Sequence, residues 1–421
     1  MVTHRPHTEN DKKYKDLPMQ KLELIKYVCG IDTLFYFAQT DEHYENVFLS
    51  IEEQLEAQRQ LHESDLYAYR HCAMLISLGT TPLSYLNKKD GVYWFRELNS
   101  YFKIGFKNPN INNYQHNIQI QFQGVGIYTV GISPLIDFIN NELLQGFTTG
   151  LYQISRADLN CFIQYDFGFV TKEMFVSKKK DYQIISEFGN SKRTQTLYVG
   201  KKPFLLRLYD KKLELKTSDK EEIMQEYFKY HGFNMDEPIF NVEFEMHRAH
   251  FKNLEIKSLE EFLTNANMLF KKAMDDIRLI DLSTITQKDI NNNSKNRAKS
   301  LPIWDYIKES YNITSSLQQD LTLQRVPQKR YFYDMPKFIN DTHELLSKAI
   351  MSKLAISSDL MSKVTEYAID AMKDNKLIHI IQDDKPQTKR INVYVQDVTG
   401  KLVKRYEIGE DGALIEWENI A

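Results

Sequence analysis

The sequence predicts an α+β protein: an antiparallel-rich central sheet covered by helices, followed by a mainly helical C-terminal unit that ends in a β-hairpin. Three observations lead there. Several short stretches before His247 alternate apolar and polar residues with a period of two, as half-buried strands do. Stretches with helical periodicity lie between and after them, the interleaving expected of a sheet covered by helices on one face. A polar run at Thr284–Ser300, with Asn291-Asn292-Asn293-Ser294 at its centre, then separates this part from the remainder.

Taken in order, residues 1–24 read as a flexible tail. Gly30–Phe37 is a short apolar strand with Asp32 near its start. Glu45–His62 is helical, with Val47, Leu49, Ile51 and Leu55 set among charges. Val92–Phe106 is aromatic-rich and strand-forming. Asn117–Phe122 alternates cleanly, and Gly124, Gly126 and Gly131 punctuate the turns after it. Ser133-Pro134 supplies an N-cap and a first helical residue for a helix to about Leu144. Three strands follow at Tyr152–Ile163, Phe204–Lys211 and Ile239–His247, with a shorter one at Thr194–Val199. Helices are expected at Ser218–Tyr230 and Leu259–Ile280. The first domain thus covers 25–283, the linker 284–300 and a second unit 301–421. That unit carries helices near Ile303–Tyr311 and Thr342–Lys373, and a hairpin of Ile391–Val398 and Lys401–Ile408 turning at Thr399-Gly400.

The composition narrows the function classes. Of 421 residues, 42% are apolar and 26% charged, ordinary for a protein with a sizeable core. No apolar stretch reaches the length of a membrane span, and Met1–Asp16 is polar, unlike a secretory signal. Cys29, Cys72 and Cys161 are widely spaced and fit neither a disulfide framework nor a zinc site, which points to a reducing cytoplasm. The net charge of -3 does not announce nucleic acid. Its distribution says more, because Thr171–Lys220 holds 13 Lys and Arg against 6 Asp and Glu, an excess of 7. Basic density of this kind attracts phosphates, although a solvated basic face has the same composition.

Strand alternation assembles a candidate site. One face of Ile154–Asn160 carries Arg156, Asp158 and Asn160; one face of Leu205–Lys211 carries Arg207, Tyr209 and Lys211; one face of Asn241–His247 carries Glu243, Glu245 and His247. The opposite faces are mostly apolar. If the strands are neighbours, three carboxylates, a tyrosine, a histidine and several cations gather on one surface. Carboxylates suit a divalent cation, which activates a phosphorus centre as a Lewis acid. A tyrosine oxygen is a competent nucleophile, and Arg and Lys neutralise phosphate charge. The ordinary alternative is a solvated sheet face stabilised by cross-strand charge pairs, which alternates in the same way. Tyr209 by itself is one of 25 tyrosines. His247 and His116 are each more ordinary as structural residues.

Thr196-Leu197-Tyr198-Val199-Gly200, then Leu206-Arg207-Leu208-Tyr209-Asp210-Lys211-Lys212 and Glu214, resembles the trans-acting replication initiation factor family. These proteins start rolling-circle replication of plasmids and filamentous phages, and relatives act as relaxases of integrative elements. Ser155-Arg156-Ala157-Asp158-Leu159 resembles the family's upstream Arg-x-Asp strand, Val242-Glu243-Phe244-Glu245 its downstream acidic strand, and Gly30-Ile31-Asp32 its opening strand. The resemblance spans about Gly30–Leu254 and implies a nickase-like palm, so that 25–283 would be the catalytic nicking domain.

Carried over by position, the resemblance implies that Tyr209 attacks a backbone phosphate, holds the 5′ end covalently and leaves a 3′ hydroxyl. Arg207 and Lys211 would flank the scissile phosphate. Asp158, Glu243 and Glu245 would hold Mg2+ or Mn2+. Arg156, Lys201, Lys202 and Lys212 would contact DNA, and Glu214 would support Lys211 or the metal shell, or be an ordinary surface residue. The implied partners are origin DNA, single-stranded or extruded at the nick site, a host helicase and a second copy of the chain, with no membrane. The His-hydrophobe-His metal motif of the larger nickase superfamily is absent, as the trans-acting branch is understood to lack it. Neither Val170–Arg193 nor the C-terminal unit matches the family, and the latter is expected to bind duplex DNA or a partner. Two other readings stand beside this one: a non-catalytic origin-binding or regulatory protein on the same sheet, and a nickase that uses Tyr198.

Overall fold

A computed structural model describes residues 22, 24–64, 73–111, 116–178, 185–189, 193–218, 220–291, 294–313, 377–382, 391–396, 402–408 and 414–417. The elements in chain order begin with β1 (Tyr27–Thr40), α1 (Tyr44–Ser64), β2 (Leu75–Leu78), β3 (Thr81–Lys89), β4 (Val92–Glu97), β5 (Phe102–Lys107) and β6 (Ile118–Phe122). Next come α2 (Gly124–Thr129), α3 (Ile132–Phe138), β7 (Thr148–Ile163), β8 (Phe175–Ser177), β9 (Ile185–Gly189), β10 (Thr194–Lys201) and β11 (Phe204–Asp210). They continue with α4 (Lys211–Leu215), α5 (Glu221–Tyr230), β12 (Phe240–His247), α6 (Arg248–Asn253), α7 (Leu259–Asp276), β13 (Ile277–Leu279), α8 (Gln287–Asn291) and α9 (Pro302–Ser310). Four last strands are β14 (Leu377–Gln382), β15 (Ile391–Gln396), β16 (Leu402–Ile408) and β17 (Leu414–Trp417).

The fold is α+β, a large antiparallel-rich sheet flanked by helices. The chain forms two compact units, one of residues 1–37, 121–136 and 151–320, the other of 38–120, 137–150 and 321–421. In the first, the strands run in the order β1-β7-β12-β11-β10-β9. Every pairing from β7 to β9 is antiparallel. In the second, β2-β3-β4-β5-β6 follow one another in space as in sequence.

The apolar face of the first unit's strands carries Leu159, Cys161, Leu197, Val199, Leu206, Leu208, Val242, Phe244 and Met246, all buried. Helix α7 covers this face, since Leu259, Phe262, Ala266, Leu269, Phe270 and Ala273 recur at helical spacing and are buried. Phe270 stands edge-on to Phe244 at 5.2 Å. A capping box starts α7: Ser258 accepts from the Glu261 amide, and Glu261 accepts from the Ser258 amide.

Helices also reach the opposite face. Tyr128 of α2 meets Tyr227 of α5 at 4.9 Å, and Phe228 of α5 meets Phe162 of β7 at 5.1 Å. The expectation of helices on one face alone is corrected here, because aromatic residues at the end of the polar face give α2 and α5 a surface to pack on.

Four other expectations change. Leu22, placed in the tail, is buried. Helix α3 begins at Ile132, so Ser133 lies inside its first turn rather than at the cap, and a π-helical turn, Ile139–Leu143, follows it. The segment 284–300 is no open spacer: Ile280 bridges Ser300, and Arg278 donates to the carbonyl of Ala298 and the hydroxyl of Ser300, so its ends are tied together. Helix α9, assigned to the C-terminal unit, packs in the first unit. Trp304 donates to the Met274 carbonyl and meets Phe175, while Tyr311 lies flat on Phe270 at 3.6 Å and donates to the Gly30 carbonyl. The boundary drawn at 301 therefore falls inside a packed core.

Beyond residue 313, the described residues are all strands, in the antiparallel order β14-β15-β16-β17. The expected hairpin is β15–β16. The helix expected at Thr342–Lys373 lies outside the described residues. No helix among the described residues is long and apolar enough to cross a membrane.

Candidate active site

Register brings the predicted residues together. Arg207 of β11 stands opposite Glu243 of β12, and Tyr209 opposite Asn241. Glu243 in turn faces Asn160 of β7, Glu245 faces Asp158, and His247 faces Arg156. Directly opposed residues share a face, so the alternation read from sequence becomes one surface three strands wide. It is not a solvated face. Asp158 is 0% exposed, Glu243 1% and Glu245 4%.

Buried carboxylates must be paired or protonated, and two guanidinium groups provide the pairing. Arg156 grips Asp158 with Nε and Nη2 at 2.9 and 2.6 Å, a bidentate contact. Arg207 Nη2 donates to Asp158 Oδ2 at 2.7 Å and to Glu243 Oε1. Both arginines reach Glu245 Oε2, at 3.3 and 3.5 Å. His247 Nε2 closes on Glu245 Oε1 at 2.6 Å. The Arg207 Nε is buried with no hydrogen-bond partner.

The tyrosine hydroxyl is built into this network. Tyr209 donates to Glu243 Oε2 at 3.0 Å, and Asn241 Nδ2 donates to both of those oxygens, at 2.9 and 3.0 Å. Tyr209 keeps part of its surface on solvent. Desolvation of its hydroxyl and the negative charges of Glu243 and Asp32 nevertheless push its pKa well above the ordinary phenol value, against the Asn241 hydrogen bond. Glu243 is pushed up to about 8 by burial and by Asp32, with Arg207 opposing. Glu245 lies lower than an ordinary carboxylate: burial works to raise it, and His247, Arg156 and Arg207 together outweigh that.

Two cations differ from expectation. Lys211 begins α4 rather than ending the strand, so it leaves the alternation. Its ammonium is buried, bonded to Glu214 at 2.8 Å, and lies 5.7 Å from the Tyr209 ring centroid. Arg207 is turned into the carboxylates rather than out toward solvent. Among the expected DNA contacts, Arg156 belongs to the carboxylate network. Lys212 donates to the carbonyls of Met235 and Glu237. Lys201 and Lys202 are exposed at the β10–β11 turn, and Lys202 pairs with Glu245 Oε1 at 3.7 Å. Gly200, the last residue of the Tyr-x-Gly motif, has φ of 98° as the chain enters that turn, a conformation that favours glycine.

Asp158, Glu243 and Glu245 do not fit a divalent ion in this arrangement. All six of their oxygens already meet donors from arginine, tyrosine, asparagine or histidine. Among the described residues, no group of three or more His, Cys, Asp or Glu side chains is gathered as an ion's ligands. A Mg2+ or Mn2+ ion would have to displace guanidinium groups.

Sequence reasoning missed several members. Asn241 was legible in principle, since it lies two residues before Glu243 on the same face. Tyr128, which donates to Asp32, comes from a glycine-rich segment without a strand or helix period. Arg193 was counted as one basic residue among many. It joins Asp166, at 2.6 Å, to Asp210, at 3.3 Å, just after Tyr209.

Comparison with known proteins yields no matching family model and no matching curated protein. Among solved structures, the chain is similar to a rolling circle replication initiator protein from Geobacillus stearothermophilus. That likeness has a TM-score of 0.38 and 15% identity, and it covers 67% of this chain and 96% of the other.

Proposed function

We propose that this chain is a replication initiator or relaxase that nicks one DNA strand at an origin, with Tyr209 as nucleophile. The observation that carries the reading is the hydroxyl of Tyr209 at 3.0 Å from Glu243 Oε2, inside a buried network of carboxylates and arginines. In a sheet that only bound DNA the same contact would do no more than satisfy a buried hydroxyl. The ordered motifs around Arg156, Tyr209 and Glu243 support the same reading.

In this mechanism Tyr209 Oη attacks the scissile phosphorus and passes its proton to Glu243 Oε2. The bond from phosphorus to the 3′ oxygen breaks, and the leaving oxygen takes a proton from solvent water to become the 3′ hydroxyl. The 5′ phosphate stays on Tyr209. Joining is the reverse: the 3′ hydroxyl attacks the phosphotyrosine, and the phenol recovers its proton from Glu243. Arg207 holds Glu243 and Asp158 in register, and Lys211 places positive charge beside the tyrosine ring, where phosphate charge develops.

The test uses a supercoiled plasmid that carries the chain's cognate origin. The protein should convert it to a nicked circle with protein covalently on the 5′ end, and Tyr209→Phe should leave it supercoiled. A Tyr209→Phe variant that still nicks removes the proposal, and origin binding without any adduct favours the non-catalytic alternative. A parallel reaction with chelator addresses the ion: retention of nicking agrees with charge neutralisation by arginine and lysine, and its loss means that an ion rearranges the carboxylates.

A further inference from the structure

Cys29 and Cys161, far apart in sequence, meet across two strands. β1 and β7 are neighbours in the strand order. The Gln164 amide donates to the Lys26 carbonyl at 2.8 Å. A Cβ placed on Gly30 would lie 3.5 Å from Asn160 Oδ1. From Lys26 beside Gln164 to Gly30 beside Asn160 the two strands step by equal amounts in opposite directions. They therefore run antiparallel, and Cys29 stands opposite Cys161.

Pairs along an antiparallel ladder alternate between hydrogen-bonded and non-hydrogen-bonded. Lys26 and Gln164 carry a hydrogen bond, so Cys29 and Cys161 fall in a non-hydrogen-bonded pair. Such pairs bring their Cα atoms to about 4.5 Å and their side chains closest together. That separation lies within the roughly 4.4–6.8 Å that a disulfide spans. The side chains agree with the register. The two sulfhydryls hydrogen-bond each other, and Cys161 Sγ also reaches the Phe162 carbonyl at 3.7 Å. Both thiols are free and buried.

Their surroundings keep them as thiols in a reducing medium. Burial pushes the Cys161 thiol well above the usual range, which makes it a poor nucleophile. Tyr311 lies beside the pair: its hydroxyl donates to the carbonyl of Gly30, next to Cys29, and the charge of either thiolate would raise its own pKa. Cys29 is 4% exposed and Cys161 0%, so Cys29 is the first sulfur that a small oxidant meets.

We propose that Cys29 and Cys161 are a modification site, a dithiol that a hydroperoxide closes into a cross-strand disulfide. The Cys29 sulfur attacks one peroxide oxygen and the O–O bond breaks. This leaves a sulfenic acid, and the departing hydroxide takes the thiol proton to become water. The Cys161 sulfur then attacks the Cys29 sulfur, the S–O bond breaks, and the second hydroxide leaves as water with the Cys161 proton. Two thiols lose two electrons and the peroxide gains them. The new bond ties β1 to β7 directly behind Asn160, which faces Glu243 across the next pairing. It closes a loop of roughly 130 residues, long enough for a large constraint on the unfolded chain. The proposal is independent of the nicking reading.

The experiment uses the full chain carrying Cys72→Ser, so that Cys29 and Cys161 are the remaining thiols. Hydrogen peroxide is added to the folded protein, and in parallel to protein in urea below its unfolding transition, where transient opening admits the oxidant. Intact mass should fall by two hydrogens, and a digest should contain Cys29 joined to Cys161. Tm should rise by about 5–10 °C and return on treatment with a phosphine reductant. Cys29→Ala and Cys161→Ala should each remove the rise.

Linking in the urea arm alone upholds the pairing and assigns the slow step to burial. Oxygen added to either cysteine in place of the link overturns the proposal, because it means that the sulfurs do not face each other. So does failure to link in both arms, a link that leaves Tm unchanged or lower, or a rise in Tm that persists in the alanine variants.

Discussion

A phenol held beside a carboxylate gives up its proton to that carboxylate only when the carboxylate is ionised, and the Tyr209–Glu243 pair turns on this condition. Glu243 sits at about 8 rather than in the ordinary carboxylate range, because burial and the charge of Asp32 outweigh Arg207. Nicking should therefore be slow at pH 6, rise through an apparent pKa near 8 and level off above it. Glu243→Gln should lower the plateau about a hundredfold and flatten the profile; a mutant profile that still rises near that pH places the base elsewhere. The same shift has a consequence for folding. A raised carboxylate pKa means that the folded chain holds a proton which the unfolded chain has released. The contribution is favourable below the unfolded value of about 4.5 and is lost as pH climbs to about 8. Thermal unfolding of the unsubstituted chain should fall in Tm across that window more steeply than that of Glu243→Gln.

Elements decide where those residues stand, and their legibility in the sequence follows from period. Strands β7, β11 and β12 were readable because two-residue alternation puts Arg156, Asp158, Arg207, Tyr209, Glu243 and Glu245 on one side before any register is known. Register itself was not readable. Nothing in the alternation says that Arg207 faces Glu243, or that Lys211 exits into a helix as soon as the strand ends. The helix α4 begins there because Asp210 caps it, accepting from the Leu213 amide at 3.1 Å. Asp210 also receives Arg193, whose other arm pairs with buried Asp166. This link spans 27 residues between Asp166 and Arg193, a separation that no local pattern encodes. Arg193→Ala strands Asp166 in the core and frees the cap beside Tyr209. It should cost about 2 kcal/mol in urea unfolding, between the limits for exposed and buried pairs. Asp210→Ala, which removes the cap, should cost about 1 kcal/mol. A change within a few tenths in both variants means that the link does not hold the turn.

At the scale of the molecule, the division of the chain differs most from what composition suggests. The Asn-rich run at 291–293 reads as a boundary, because polar residues without period look like a spacer. Yet the chain on its far side returns to the first unit and fills it: Trp304, Ile307 and Tyr311 are buried there, and Tyr311 reaches the Gly30 carbonyl at the head of the opening strand. Composition cannot show a return of this kind, since the residues that receive α9 lie on β1, α7 and β8, far away in sequence. A functional core cut at the apparent linker would therefore expose the ring of Phe270 and lose the indole of Trp304, each set in close aromatic contact. Trp304→Ala in the full chain should cost about 3–5 kcal/mol. A chain ending at 300 should accordingly be unfolded or aggregated, while one ending at 313 keeps the sheet, the helices on both of its faces and the Tyr209 network. Circular dichroism melting of the two truncations separates the cases. Equal cooperative melting of both would show that α9 is dispensable and would return the boundary to 301. A cooperative transition in the longer chain alone places the end of the first unit's fold after Ile313, and adduct formation by that fragment would show that the proposed nucleophile Tyr209 needs nothing beyond it.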